Sequence, residues 1–433
     1  MKISKAVSLL LIMSLCSLSA RAQLGWVLQE SNTTQALHSI YFTNSNSGFV
    51  VGNNGTLLKT TNGGVNWVGQ NTGTNNDFYS IFFPTSSTGY IVGTGGVLVK
   101  TTNGGVNWNL FPIGEIVHQN CIYFIDAFTG YLAGNSTSGN GLVLKTINGG
   151  MNWNLCSPSG NYLNSVCFID ANTGFVAGGS NNGYIFKTTN GGLNWNTVNT
   201  VVGSYYTRIY INNNMIGHAV GSQGMVAKTT DGGNSWYVQY LSTNGGALGS
   251  VFFVDIDTGY TVGFGGIVLK TIDGGNNWIQ QQNLATSNYM YDVRFTDVNS
   301  GYAVGVNGTI IKTTTGGEPI GIRPISKEIP KTYSLSQNYP NPFNPVTKIR
   351  FELRPPLNPL SRERDVPLAK EGTLVSLIVY DILGREVATL VNEQLKPGSY
   401  EVEWDGSKYA SGIYIYRLET ENFSETKKMI LLK

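Results

Sequence analysis

One nine-residue unit recurs along most of the chain and constrains its fold more than any other feature. The unit begins with Lys-Thr, passes through Asn or Asp and a Gly pair, and ends in Trp, as in residues 59–67. Five more complete copies end at Trp108, Trp153, Trp195, Trp236 and Trp278, and the successive Trp residues are 41, 45, 42, 41 and 42 positions apart. A shortened copy begins at Lys312. This period is typical of a propeller blade, a four-stranded sheet that buries its faces only against neighbouring sheets.

Each part of the unit has a structural explanation. The alternating aliphatic and β-branched residues that precede it predict a strand, and the Asn or Asp side chain favours a turn. The Gly pair supplies the positive φ that a tight hairpin needs, and the Trp begins the returning strand beneath that turn. Burying roughly 150–250 Å² per Trp stabilises the fold by at most about 4–6 kcal/mol. The unit is therefore predicted to be scaffold.

The strand count predicts how the repeats close into a ring. Seven periods carry a first strand ending mostly in Phe, a Gly-aromatic-x-Val/Ala-Gly second strand and a third strand, but only six Trp strands follow a complete unit. The missing strand is predicted at residues 25–28, whose Trp26 stands 41 positions before Trp67. Pairing it into the last blade would remove the open edges. We therefore predict an all-β chain whose residues 23–317 form a seven-bladed β-propeller closed by its N-terminal strand.

The repeats resemble known families. Residues 229–236 and 271–278 fit the Asp-box pattern Ser/Thr-x-Asp-x-Gly-x-x-Trp, and the other complete copies have Asn in place of Asp. Together with the Gly-aromatic strand, residues 25–317 resemble the propeller family of photosystem II stability and assembly factors. The resemblance implies a propeller that binds a protein partner rather than one that catalyses. It also implies that the hairpins bearing the Asp-boxes lie away from the binding site.

The N-terminus and the overall charge narrow the location and the partners. Residues 1–22 are predicted to be a secretory signal, with Lys2 and Lys5 before an apolar run and an Ala-x-Ala site at its end. A lipoprotein signal at Cys16 is the rival, and the bulky Leu15 disfavours it. No other membrane segment is predicted after signal removal. Charged residues make up only 12% and the net charge is +2, so neither nucleic acid nor acidic lipid is an expected partner.

The composition changes after residue 317, where 11 of the 14 Pro and 16 of the 28 basic residues lie. Residues 318–332 are predicted to be a linker. Short strands then predict a small Ig-like β-sandwich in residues 333–433, with strands at 347–353, 375–380, 386–391, 400–404, 413–418 and 427–432.

Four motifs in this second domain carry a close resemblance. The motifs resemble those of the type A C-terminal sorting domain of the type IX secretion system. They are residues 338–345, 380–387, 412–414 and 428–433. The resemblance implies that residues 333–433 engage that machinery and that the protein is secreted or held at the outer-membrane surface. A charged, Pro-rich insert, residues 354–372, departs from the family pattern and is predicted to be a disordered loop.

Few basic residues of the propeller are candidates for ligand binding or catalysis. Seven of the nine are the repeat Lys, so Arg208 and Arg294 remain. A sialidase clamps its substrate with three Arg, and two cannot supply that clamp. One position of the first strand holds a small residue in most blades, and Arg208 and Asp292 are the two exceptions. The seven residues at this position are Ser39, Ser80, Cys121, Ser165, Arg208, Ser250 and Asp292. With Arg294 two residues further along the same face, this set is either an ion pair that plugs the central channel or an anchor for a ligand.

Aromatic residues where the chain enters the first strands form the other candidate set. They should lie on the face opposite the Asp-box hairpins and could stack on a sugar or a peptide. The members are Phe78, Tyr79, Tyr162, Tyr205, Tyr206, Tyr289 and Tyr291.

Other polar residues favour structural roles. Asp126, Asp170, Asp255 and Asp297 recur at one turn position and are predicted to form turns. The spacing of Asp255 and Asp257 faintly resembles a calcium loop but lacks its later acidic ligand, so neither a metal nor a cofactor is predicted. The three His are scattered. Cys121, Cys156 and Cys167 are predicted to be free thiols, with one disulfide as the alternative.

These observations predict a secreted, non-catalytic propeller that binds a protein or glycan partner. Two alternatives stay open at this point. One is a polysaccharide-cleaving hydrolase or lyase that uses acidic residues on the loop face. The other is a passive component of the cell surface or matrix.

Overall fold

The computed structural model describes residues 25–113, 118–156, 161–281, 285–317, 323–326, 328–355, 373–406 and 409–433. The predicted signal, residues 1–22, lies outside them. Contacts separate the chain into two compact units, Leu24–Pro319 and a C-terminal unit from Ile320 to Lys433. Within the described residues the helical segments are two 3-10 turns, at Ser222–Gly224 and Phe264–Gly266, and no helix is long and apolar enough to cross a bilayer.

The described residues of the first unit form 28 strands. The first half of them are Val27–Gln29 (β1), Leu37–Phe42 (β2), Gly48–Gly52 (β3), Leu57–Thr60 (β4), Val68–Gly69 (β5), Phe78–Phe82 (β6), Gly89–Gly93 (β7), Val97–Thr101 (β8), Asn109–Pro112 (β9), His118–Phe124 (β10), Gly130–Asn135 (β11), Gly141–Thr146 (β12), Asn154–Leu155 (β13) and Leu163–Phe168 (β14). The others are Gly174–Gly179 (β15), Asn182–Thr188 (β16), Asn196–Val202 (β17), Tyr206–Ile211 (β18), Gly217–Gly221 (β19), Met225–Thr229 (β20), Tyr237–Tyr240 (β21), Leu248–Phe253 (β22), Gly259–Gly263 (β23), Val268–Thr271 (β24), Ile279–Gln280 (β25), Met290–Phe295 (β26), Gly301–Gly305 (β27) and Ile310–Thr313 (β28).

These strands form seven antiparallel four-stranded sheets. Blades 1 to 6 are β2–β5, β6–β9, β10–β13, β14–β17, β18–β21 and β22–β25, and blade 7 joins β26–β28 to β1. The first strand of each blade contacts the first strand of the next, and β26 contacts β2, so the seven first strands form a closed circle. The unit is therefore a ring of blades around a central channel.

The predicted closure of the ring by the N-terminal strand is confirmed. Strand β1 pairs with β28 through Val27 to Lys312, Leu28 to Ile311 and Gln29 to Ile310. Trp26 is fully buried and meets the ring of Phe295 edge-on at 5.8 Å. One blade thus combines the two ends of the propeller sequence, which leaves no blade with an open edge at the junction.

The Asp-box hairpins have the predicted geometry. In blade 1 the hydroxyl of Thr60 accepts the Gly64 N–H at 2.9 Å, and the Asn62 side chain accepts the Asn66 N–H at 3.0 Å. Gly63 and Gly64 have φ of 64° and 76°, which a residue with a Cβ adopts only with strain. The Trp67 ring lies under this turn and is 3% exposed.

The repeat Lys residues join neighbouring blades. Lys59 donates from Nζ to the Gly104 carbonyl of the next hairpin at 3.0 Å, and Lys312 donates to the Gly63 carbonyl across the ring junction at 2.6 Å. The ammonium groups of six repeat Lys also lie over an aromatic ring, as Lys59 does over Phe49 at 5.2 Å and Lys187 over Phe175 at 5.8 Å. These bonds explain why Lys recurs in every blade, and they support the structural interpretation of the repeat.

His218 replaces the Phe or Tyr that this second-strand position carries in the other blades. It is fully buried, stacks on Phe253 at 4.1 Å, and its Nε2 lies 3.1 Å from the Gly274 carbonyl oxygen. A nitrogen that faces a carbonyl must carry the proton, so the neutral ring donates from Nε2. Burial lowers the pKa of His218 from its ordinary 6.5 to about 3.

This histidine predicts a pH dependence of stability. Because its folded pKa lies below the unfolded value, its destabilising effect is absent above pH 6.5 and grows as the pH falls toward about 3. The slope is at most about 1.4 kcal/mol per pH unit. His218→Tyr should remove this component, since Tyr90 in blade 2 donates to the equivalent carbonyl of Gly149. Urea unfolding of both proteins from pH 7 to pH 4 tests this, and parallel pH profiles would contradict it.

In the part of the second unit that the structure describes there are eight strands in two four-stranded sheets. They are Arg323–Ser326 (β29), Ser334–Leu335 (β30), Val346–Leu353 (β31), Thr373–Asp381 (β32), Glu386–Leu395 (β33), Gly398–Asp405 (β34), Gly412–Thr420 (β35) and Phe423–Leu431 (β36). One sheet has the order β29-β34-β31-β30 and the other β33-β32-β35-β36. Buried side chains of both sheets form one core, which includes Phe351 and Trp404 from the first sheet and Leu377 and Tyr416 from the second.

This unit is a β-sandwich, and all six predicted strands are present. The structure adds β29, a strand inside the predicted linker, which pairs Arg323 with Glu401 and Pro324 with Tyr400. The predicted disordered insert, residues 354–372, lies outside the described residues except for its first two positions.

Candidate functional site

A β-bulge interrupts the first strand of every blade at the same position. In blade 1 the ladder to the second strand passes from Leu37 directly to Ser39, and the other six blades skip the equivalent residue. A bulge leaves the extra residue unpaired and redirects its side chain. The seven bulge residues are His38, Tyr79, Asn120, Asn164, Thr207, Gly249 and Tyr291.

Three bulge residues connect one blade to the next. The Asn120 side-chain amide donates to the Leu163 carbonyl at 2.8 Å, and Asn164 repeats this bond to Tyr206 at 2.8 Å. The Thr207 hydroxyl donates to the Leu248 carbonyl at 2.7 Å. Blades 3, 4 and 5 therefore use this position for structure.

In blades 7, 1 and 2 the bulge residues are rings that contact one another. His38 lies 4.4 Å from Tyr291 and 5.1 Å from Tyr79, and Tyr289 packs 4.8 Å from Tyr291. All four are half-buried. We call these residues, His38, Tyr79, Tyr289 and Tyr291, the aromatic mouth.

The aromatic mouth lies at the end of the blades away from the Asp-box hairpins. Its bulge residues sit near the start of the first strand, whereas the turn after that strand bonds to the hairpin, as Gly63 N–H does to the Asn46 carbonyl at 2.8 Å. This is the face predicted for Tyr79, Tyr289 and Tyr291. The sequence interpretation missed His38, although it occupies the same repeat position as Tyr79.

His38 is held neutral at physiological pH. Burial lowers its pKa, and the bond to Asn53 and the carboxylate of Asp77 only partly oppose this. Its Nε2 lies 2.7 Å from the Asn53 side-chain oxygen, so this nitrogen donates. The aromatic mouth therefore presents rings that are themselves uncharged, with the Asp77 carboxylate near His38 and Tyr79.

Four other predicted aromatic candidates lie elsewhere. Phe78 and Tyr206 are 1% and 0% exposed and pack in the cores between blades, so neither side chain reaches the surface where the other candidates lie. The bulge is the reason, because it separates them from the first-strand residues that face the channel. Tyr162 is 44% exposed on blade 4, and Tyr205 is half-buried beside Tyr289.

Asp292 has a structural environment. It is 1% exposed and accepts bonds from the Ser250 hydroxyl at 2.8 Å, the Ser39 hydroxyl at 3.2 Å and the Ile40 N–H at 3.1 Å. These donors belong to blades 6 and 1, so one carboxylate joins the first strands of three consecutive blades.

The predicted ion pair between Arg208 and Asp292 is not a direct contact. Every ion pair found in the described part of the chain lies in the C-terminal unit, so these two charges are more than 4.0 Å apart. Burial works against the charge of Arg208, yet the Asp292 carboxylate, with the thiols of Cys121 and Cys167, raises the guanidinium pKa. The two groups interact electrostatically across the channel.

Arg294 lines a cavity at the hairpin end of the channel. The cavity has a volume of about 340 Å³, and its walls include Tyr41, Phe252 and the turn at residues 43–45. The guanidinium carbon lies 5.3 Å from the Phe252 ring centre. Its Nε is buried and has no hydrogen-bond partner among the described residues.

The acidic residues and cysteines do not form a metal site in the described residues, which contain no cluster of three or more potential ligands. The four recurring Asp residues accept backbone N–H bonds of their own turns, as predicted; Asp126 takes those of Phe128 and Thr129 at 2.7 Å each. Such bonds lower the pKa of Asp126. The thiols of Cys121, Cys156 and Cys167 are free.

Comparison with known proteins separates the two units. The family profile described as photosynthesis system II assembly factor YCF48 matches residues 18–158 and 194–282, more than half of the chain. The profile described as secretion system C-terminal sorting domain matches residues 337–432. None of the curated proteins matches the sequence.

Two solved structures resemble the propeller. A structure described as YCF48 bound to D1 peptide is 18% identical, with a TM-score of 0.58, over 67% of this chain and 97% of that one. YCF48 from Cyanidioschyzon merolae is 19% identical, with a TM-score of 0.56, over 66% of this chain and 98% of that one. At these identities the likeness shows the fold.

Together these findings define an exported β-propeller. Its C-terminal unit is a sorting domain that directs it through type IX secretion to the cell surface or beyond. The chain belongs to the family of photosynthesis system II assembly factor YCF48.

Proposed function

We propose that the propeller is a non-catalytic binding module of the cell surface that holds a peptide segment of a partner protein at the aromatic mouth. The observation that supports this most is that the blades with rings at the bulge position lie next to one another. Blades 3 to 5 use the bulge position to hydrogen-bond the next blade, whereas blades 7, 1 and 2 place rings there that make no hydrogen bond to a neighbouring blade among the described residues. The repeat thus lacks this hydrogen bond between blades on one contiguous side of the ring.

The chemistry of the aromatic mouth suits a peptide. Tyr side chains offer apolar faces with a hydroxyl at the edge and lose little conformational entropy when bound. The neutral His38 adds a flat ring without the desolvation cost of a charge. The relative whose structure is described as YCF48 bound to D1 peptide supports a peptide over a glycan.

The test is selection of peptides on the whole secreted chain from a phage-displayed library of dodecapeptides. We expect enriched peptides to bind Tyr79→Ala/Tyr291→Ala at least about tenfold more weakly, since each ring truncation at a contact centre costs 1 kcal/mol or more. Tyr162→Ala is the matched control, because it removes an exposed Tyr from another blade. It should bind like the wild type.

Two results would overturn the proposal. One is equal loss of binding in the double variant and in Tyr162→Ala, which would place the peptide elsewhere. The other is selective binding or cleavage of oligosaccharides on a glycan array, without enrichment of any peptide.

A further inference from the structure

The cavity at the hairpin end of the channel has features that the scaffold does not require. Arg294 stands where the other blades have Tyr41, Phe82, Tyr123, Cys167, Tyr210 and Phe252. Tyr41 in this position donates its hydroxyl to the Phe83 carbonyl of the next blade at 2.9 Å, whereas Arg294 makes no such bond. Arg294 therefore carries a cation that contacts the Phe252 ring of blade 6 and, among the described residues, makes no hydrogen bond to a neighbouring blade.

The cation is available for an anionic ligand. No carboxylate lies within ion-pair distance of Arg294 in the described residues of the propeller, and its Nε–H is buried without an acceptor. A carboxylate that approaches the guanidinium edge can accept from Nε and one terminal nitrogen together. Such a ligand would satisfy the orphan donor, which otherwise costs stability.

The remaining lining combines ring faces with polar groups. Tyr41 and Phe252 present aromatic surface, and residues 43–45 and Thr296 bring hydroxyls and an amide. The Asn44 oxygen accepts the N–H groups of Asn46 and Ser47, which leaves its amide hydrogens for a ligand. At about 340 Å³ the cavity is at the small end of the range for ligand sites.

We propose that this cavity binds a sugar acid, with Arg294 holding the carboxylate and the ring faces packing against the sugar. A sugar ring carries hydroxyls around its edge and C–H groups on its faces, and the lining supplies partners for both. The carboxylate of an isolated acidic side chain would bind Arg294 but would not contact the polar turn at residues 43–45. The site is separate from the aromatic mouth and does not depend on the proposed peptide binding.

The experiment uses the whole chain and saturation-transfer NMR titrations of methyl β-D-glucuronide, with methyl β-D-glucoside as the uncharged comparison. We expect saturable binding of the glucuronide and little of the glucoside. Arg294→Gln should weaken glucuronide binding about tenfold or more, because it removes a charge-assisted bidentate contact. Arg208→Gln removes the same charge from another first strand and should bind normally, and so should Tyr79→Ala/Tyr291→Ala.

A second pair of variants avoids the buried strand. Ser45 is exposed at the cavity rim, so Ser45→Glu should repel the carboxylate without affecting folding, and Ser45→Gln adds a similar length without charge. Weaker glucuronide binding by Ser45→Glu, but not by Ser45→Gln, supports the proposal. Melting curves establish that all variants are folded. Equal binding of glucuronide and glucoside, or undiminished binding by both Arg294→Gln and Ser45→Glu, would overturn it. Tighter binding of acetyl-Gly-Glu-Gly-amide than of glucuronide would overturn it in favour of an acidic peptide.

Discussion

Trp26→Ala is expected to lower the free energy of unfolding of the propeller by about 3–5 kcal/mol, the range for removing a fully buried Trp. The indole is 0% exposed and contacts Tyr260 and Phe295 at 6.4 Å and 5.8 Å, so little can fill the space it leaves. Its Nε1 has no hydrogen-bond partner in the described residues. The loss is therefore one of packing.

The position of Trp26 adds to this cost. Strand β1 is held to β28 by three residue pairs, and its partners lie more than 280 residues away in the sequence. The fourth strands of blades 1 to 6 instead follow their third strands through a hairpin, which keeps them close when packing is lost. We therefore expect Trp26→Ala to expose the N-terminal strand to proteolysis, whereas Trp153→Ala in blade 3 should destabilise without this effect.

Urea unfolding followed by circular dichroism, with limited proteolysis, measures both consequences. Leu28→Ala is the matched control on the same strand, since Leu28 is 55% exposed and its truncation should cost less than about 0.5 kcal/mol. If Trp26→Ala were no more destabilising than Leu28→Ala, the N-terminal strand would not hold the ring together.

The scaffold could be predicted from the sequence because each copy of the repeat forms its hairpin through the same local interactions. Thr60, Asn62 and the Gly pair determine the hairpin through local bonds, and the missing Trp strand could be found by counting. The C-terminal strands followed from their alternating pattern. Strand β29 did not, because Pro324, Ile325 and Ser326 are exposed and one of them is a Pro, and its strand conformation depends on pairing with β34.

The candidate sites were less predictable because they depend on a bulge. A single unpaired residue reverses the alternation of a strand, so Phe78 and Tyr206 turned into the core while Tyr79 and His38 came to the surface. The bulge residues differ from blade to blade, which left no shared signal at that position. The pairing of Arg208 with Asp292 was also misjudged, because sequence separation gives no distance across the channel.

Asp292→Ala is expected to lower the free energy of unfolding by about 3–5 kcal/mol. The substitution removes the acceptor of several buried donors and leaves Arg208 without its counter-charge. Asp292→Ser separates these effects. Four blades have Ser in this position, and the hydroxyls of Ser80 and Ser165 accept an N–H from the next blade at 3.2 Å each. Ser at residue 292 should keep the equivalent bond to Ile40, so most of its cost should come from the uncompensated charge of Arg208.

A double-mutant cycle decides between charge and hydrogen bonding. Arg208→Ser/Asp292→Ser gives both blades the Ser that the repeat prefers, and it should be more stable than the sum of the single losses predicts by about 1 kcal/mol or more. Urea unfolding of the four proteins at one pH gives this coupling. Strict additivity would mean that the two charges do not compensate each other, and that Asp292 stabilises the ring only as an acceptor for blades 6 and 1. A positive coupling would instead explain why both departures from Ser occur in the same chain.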